Sequence, residues 1–158
     1  MVNQTADPSS LLAMLARTPV RIEAAAARLR AEQLPARPAE GVWSANEVLW
    51  HVRACADVYG EQVARIVEED QPRWRHVSPR ARMKRTRYDE LPFADSFAAF
   101  QQQRIELVER LEQLPTQAWQ RFAFVRTEKG EAPVSLLQRL SVMAQHEAIH
   151  CDQFEALV

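Results

Sequence analysis

The chain has 158 residues, of which 47% are apolar and 26% charged, with a formal net charge of −1. That size predicts one domain, residues 1–158, with a core that needs no disulfide or structural metal, and the charge balance excludes a general nucleic-acid binder, whose surface would be basic. No apolar run approaches the roughly 18 residues of a membrane span, the start MVNQTADPSS lacks a secretory leader's basic-then-apolar pattern, and Cys55 and Cys151 make no disulfide framework, so a cytoplasmic protein without membrane or nucleic-acid partners is expected.

The first helical segment runs from about Ser10 to Glu32, and Thr18-Pro19 is expected to kink or restart it. The stretch LPARPAEG then reads as a loop. Ser44 followed by Glu47 forms a capping box for a second helix, with Trp43 and Val48 placed as its hydrophobic staple. Its apolar stripe is Val48, His51, Val52, Cys55, Val58, Tyr59, Gln62 and Ile66, spaced by threes and fours.

From Asp70 to Pro92 the periodicity breaks, with three prolines and seven Lys or Arg, and the stretch reads as a long crossover. A third helix is expected from a cap at Asp95 to Leu114, with Phe97, Phe100, Ile105, Val108 and Leu111 inward. Pro115 stops it. Trp119, Phe122 and Phe124 fall in a linking segment. Ser135 with Gln138 caps the fourth helix, which runs almost to Val158. Glycine occurs only at 41, 60 and 130, which disfavours hairpins. The fold class expected is therefore all-α, a four-helix bundle without strands, whose long crossover leaves helices two and three parallel.

Three of the four histidines fall on inward faces. A single histidine on an apolar stripe is more often a hydrogen-bonded core residue than a ligand. His146 and His150, four apart and facing the core, change that balance, because unpaired buried polar groups cost about 1–3 kcal/mol each. Adding His51 from the second helix gives three nitrogens for a divalent cation with open positions left over. His146-Glu147-Ala148-Ile149-His150 also fits H-E-x-x-H, with Glu147 as general base of a zinc hydrolase. The extended protease pattern wants Gly and His where this chain has Gln153 and Ala156, so a third ligand has to come from upstream.

Trp43-Ser44-Ala45-Asn46-Glu47-Val48-Leu49-Trp50-His51 resembles the W-S-x-x-E-x-x-x-H signature of the DinB/YfiT-like superfamily. His146-x-x-x-His150 followed by Gln153 resembles its closing H-x-x-x-H-x-x-Q. The resemblance implies an up-down-down-up four-helix bundle, frequently a homodimer. It also implies a divalent metal ion, zinc or nickel, held by His51, His146 and His150. Relatives of this kind include thiol-dependent S-transferases using bacillithiol or mycothiol, and a thiol-dependent maleylpyruvate isomerase. Cys151-Asp152 departs from the commonest ending, which puts the substrate pocket rather than the fold in doubt.

Three neutral imidazoles leave a cation's charge available to ionise a thiol or water. Together with the resemblance, this makes the expected function metal-dependent S-transfer from a small-molecule thiol to an electrophilic substrate, or a related small-molecule reaction. The alternative is a non-catalytic metal-binding dimer with a stress or interaction role. Gln153 is a candidate for orienting a ligand or substrate, Glu147 for a base and Cys55 for a fourth ligand. Cys151 points away from His150. The basic crossover could attract an anionic cosubstrate, although a solvated loop is the plainer account, and His76 within it is expected to be exposed.

Overall fold

The computed structural model describes residues 7–158; the reading of residues 1–6 as no secretory leader lies outside them. Helix α1 spans Pro8–Ala26. It starts earlier than expected because Asp7 accepts a hydrogen bond from the Ser9 amide at 2.9 Å and Pro8 occupies the first turn, where its missing N–H costs nothing. Pro19 neither breaks nor restarts it: the helix is continuous and Pro19 is buried inside it. The chain leaves the helix at Ala26, six residues before the expected end, and a short 3-10 turn follows at Ala31–Gln33.

Helix α2 spans Ala45–Glu68. Ser44 Oγ accepts from the Glu47 amide at 3.2 Å, and Glu47 accepts from the Ser44 amide at 2.9 Å. Arg37 pairs with the same carboxylate, so Glu47 is fully engaged in holding this helix start.

The crossover is not a bare loop. It contains strand β1, Arg73–Arg75, helix α3, Pro79–Thr86, and a 3-10 turn at Tyr88–Glu90. Helix α4 spans Phe93–Glu112, capped by Pro92 rather than Asp95. Phe100 and Leu111 are buried, but Ile105 is 45% exposed and Arg104 takes the inward position at 1%. Strands β2, Phe122–Thr127, and β3, Gly130–Ser135, lead into helix α5, Leu136–Glu155, which carries the expected Ser135–Gln138 capping box.

The three strands form one sheet in the order β1-β2-β3, β1 parallel and β3 antiparallel to β2. The chain is therefore mostly helical but not strictly all-α. Strand β2 alternates, with Ala123 and Val125 buried, and Gly130 at φ +120° gives the tight turn a conformation that favours glycine. Pro133 is tolerated because β3 is an edge strand.

Helix α1 packs on α4 and α5, and α2 packs on the same two helices. The shared core includes Leu11, Leu15 and Ile22 of α1, Leu49, Val52 and Ile66 of α2, Phe100 of α4, and Leu140 and Phe154 of α5. Each such side chain contributes about 1.5–3 kcal/mol of burial. Helix α3 lies across α2 and buries only Met83. Among the described residues no helix is long and apolar enough to cross a membrane.

Candidate metal centre

The capping box at Ser44 sets the rotation of α2, and that rotation aims His51, two turns in, at the α2–α5 seam. The box at Ser135 does the same for α5, where His146 and His150 share one stripe. The three rings meet. His146 Nε2 lies 3.1 Å from His51 Nε2 and 3.1 Å from His150 Nε2. Ring centroids are 5.1 Å apart for His51–His146, 4.6 Å for His51–His150 and 4.5 Å for His146–His150. All three residues are half-buried, so the cluster keeps a side open.

The outer nitrogens set the tautomers. His150 Nδ1 lies 2.9 Å from Gln153 Oε1, an acceptor only, so it carries the proton and leaves the Nε2 lone pair facing inward. His51 Nδ1 lies 3.3 Å from Met83 Sδ, a weak acceptor that favours the same tautomer. Two bare lone pairs thus converge on the neighbourhood of His146 Nε2, which has at most one proton to offer between them. The Nδ1 of His146 is buried and has no partner among the described residues, and a cation at the Nε2 atoms would leave it so. Without a further group the cluster is under-satisfied. A divalent cation fits: ligand nitrogens about 2.0–2.1 Å from a tetrahedral centre sit about 3.3 Å apart.

Cys55, one turn after His51, joins the cluster. Its Sγ lies 3.5 Å from His51 Nε2 and 3.9 Å from His146 Nε2. His51, Cys55 and His146 form the group whose ligand atoms all lie within 4.8 Å of one another; His150 attaches through His146. Burial pushes the Cys55 thiol up to about 12, the Glu147 charge adding to the effect, so without a cation it is a neutral thiol.

Burial also holds the imidazoles neutral. It lowers His51 to about 4, helped by His150, His146 and the charge of Arg80, and lowers His146 to about 4, helped by His150. His150 is likewise lowered by burial, while Gln153 opposes the shift. Neutral imidazole is the metal-binding form. Between pH 6.5, the ordinary histidine value, and about 4 the unfolded chain binds more protons than the folded one. The metal-free protein is therefore expected to lose stability as pH falls through that window. Thermal midpoints at several pH values should drop less steeply in a His51→Ala, His146→Ala double variant.

Aromatic rings wall the cluster: Trp43 lies 5.3 Å from the His51 ring and Tyr59 lies 6.0 Å from that of His146. Gln153 lies against the outer nitrogen of His150. Gln153→Leu, which removes that acceptor, is expected to weaken metal affinity about 10- to 100-fold, measured by chelator competition.

Glu147 lies in the bundle interior, paired with an arginine. It is 2% exposed, its carboxylate pairs with Arg104 of α4, itself 1% exposed, and Thr18 of α1 adjoins it. Burial pushes the Glu147 carboxyl up and the Arg104 charge pulls it back. The residue belongs to the bundle interior, on the side of α5 facing α1 and α4. Cys151 is also buried away from the cluster, its Sγ 3.8 Å from the Thr18 carbonyl. In the basic crossover Arg73, Arg82 and Arg87 pair with Glu131, Glu61 and Glu90. His76 is exposed there, as expected.

The sequence reading missed Met83 and Arg104. Arg104 was legible in principle, since it stands on the stripe of Phe97, Phe100 and Leu111 where an apolar residue belongs. Met83 carried no signal, because α3 is mostly basic and its contact with His51 exists only in three dimensions.

The same fold occurs in solved structures. YfiT from Bacillus subtilis, described as a probable metal-dependent hydrolase with an unusual four-helix bundle topology, aligns at a TM-score of 0.80 and 16% identity, over 99% of this chain and 88% of that one. The mycothiol-dependent maleylpyruvate isomerase aligns at a TM-score of 0.67 and 16% identity, over 94% of this chain and 60% of that one, so the likeness leaves much of the isomerase outside it. Among curated proteins no sequence matches this chain. The family model of the DinB superfamily matches residues 14–154, and the chain belongs to that superfamily.

Proposed function

We propose that His51, His146 and His150 hold one zinc or nickel ion, and that the centre transfers a small-molecule thiol to an electrophilic substrate. The observation that carries this reading is the convergence of three Nε2 atoms, His146 standing 3.1 Å from each of the other two, with protons held on the outer nitrogens of His51 and His150. A divalent cation there supplies positive charge that lowers the pKa of a thiol or water beside it. The residues do the rest. Gln153 holds His150 in its ligating tautomer, Met83 covers the outer edge of His51, and Trp43 and Tyr59 limit water around the rings. In the transfer an S–C bond forms, the electrophile's leaving group departs with its electron pair, and the thiol proton goes to solvent. An up-down-down-up helix order, a homodimer and a cytoplasmic location belong to the same reading. Metal-loaded protein assayed against a panel of low-molecular-weight thiols and electrophiles should show turnover that chelator abolishes. Absence of turnover across the panel overturns the transferase.

A second reading has its own observation. Cys55 Sγ, at 3.5 Å from His51 Nε2, is close to the roughly 3.5 Å expected between S and N ligands of one tetrahedral zinc. If Cys55 closes the coordination shell, the centre is structural, in a dimer that acts by interaction. Cys55→Ala separates the two: retained metal with retained turnover supports the enzyme, and lost metal supports the closed site. The zinc-hydrolase reading through His146-Glu147-x-x-His150 has the least support, because the Glu147 carboxylate is committed to Arg104.

A further inference from the structure

The stripe of α5 that carries His146 and His150 continues back through Met143 to Arg139, at spacings of four, three and four. Arg139 is half-buried, and among the described residues no carboxylate pairs with it. Its Nε is buried without a hydrogen-bond partner. Its guanidinium carbon lies 5.7 Å from the centre of the Tyr59 ring, whose other neighbour is the His146 ring at 6.0 Å. Burial disfavours the charge of Arg139. A half-buried arginine without a counter-ion leaves part of its desolvation cost uncompensated. It stands one aromatic ring away from the metal centre, along the seam that His51, Cys55 and Tyr59 line on α2. Among the described residues the one buried carboxylate, Glu147, is already paired with Arg104.

We propose that Arg139 is an anion-binding residue of the centre: it holds a carboxylate or phosphate group of the molecule whose other end reaches the three histidines. The proposal rests on the thiol-transfer reading for the identity of that other end, and it narrows the substrate class to anions longer than one ring width. Planar, bidentate recognition of an oxyanion is what a guanidinium does better than an ammonium. Arg80, the second unpaired arginine near the centre, lies one turn before Met83 on α3 and is exposed, so it adds positive potential at the rim rather than a fixed contact.

The test compares 6-mercaptohexanoate with 6-mercaptohexanol on the cobalt-loaded protein, reading thiol coordination from the sulfur-to-cobalt charge-transfer band. Expected is a preference of at least about ten-fold for the carboxylate, corresponding to about 1.4 kcal/mol. Arg139→Gln should abolish the preference and leave affinity for the alcohol unchanged, and Arg139→Lys should keep part of it. Arg80→Gln should reduce it by less than half as much. Equal affinities in the wild type, a preference surviving Arg139→Gln, or equal losses in the Arg80 and Arg139 variants overturn the assignment. If neither thiol produces the band, the thiol reading has failed and the anion site is decided separately by calorimetry with hexanoate and hexanol. There the same preference, lost in Arg139→Gln, supports it, and no preference overturns it.

Discussion

Alanine at His146 is expected to empty the metal centre, taking metal content from about one ion per chain to below about a tenth, because two ligands alone seldom hold a divalent ion against dilution. His146 is the hub of the cluster, its Nε2 lying 3.1 Å from both other rings, so its loss removes the element common to the pair contacts. His51→Ala and His150→Ala should also lose stoichiometric metal. His51→Ala separates the helices' contributions, since it leaves the α5 pair intact. Elemental analysis of the purified variants measures this directly, and unchanged content in any of them removes that residue from the ligand set. Circular dichroism should show all three still helical, because the apolar core runs the length of the bundle independently of the rings.

Breaking the Arg104–Glu147 pair should have the largest effect on stability. Both side chains are almost fully buried, at 1% and 2% exposure, and among the described residues Arg104 Nε and Glu147 Oε2 have no hydrogen-bond partner. Removing one member strands the other's charge in the interior, and Arg104→Met is expected to cost about 3–5 kcal/mol. For a chain of this size that lowers the thermal midpoint by about 10 °C. Arg104→Met combined with Glu147→Leu should recover most of the loss, since an apolar pair of similar volume carries no desolvation penalty. If the combined variant also binds metal normally and turns over, Glu147 is a structural carboxylate. If stability returns but turnover does not, the base assigned to Glu147 by its motif regains support.

Where side chains meet their own helix, the sequence was legible. The two capping boxes, Ser44 with Glu47 and Ser135 with Gln138, are contacts over three residues, and both are present. They set the start and rotation of α2 and α5, and with them the faces on which His51, His146 and His150 lie. Local chemistry misled where one residue had two uses. Asp95 could cap a helix, but the chain entered α4 three residues earlier, behind Pro92. Ile105 looked like core, yet the helix turned Arg104 inward because Glu147 was waiting on α5. Strands β1, β2 and β3 were invisible because none is longer than six residues and each depends on pairing across the fold.

The sequence by itself determined which helices form, which way their apolar stripes face, and that three imidazoles turn inward, because those follow from spacing and capping within a few residues. Only the tertiary structure decided that Glu147 answers Arg104 instead of the cluster, that Cys55 stands near His146 as well as His51, and that Met83 meets the outer nitrogen of His51. Each of those outcomes depends on distances between elements far apart in the chain, and packing sets such distances where no local periodicity can.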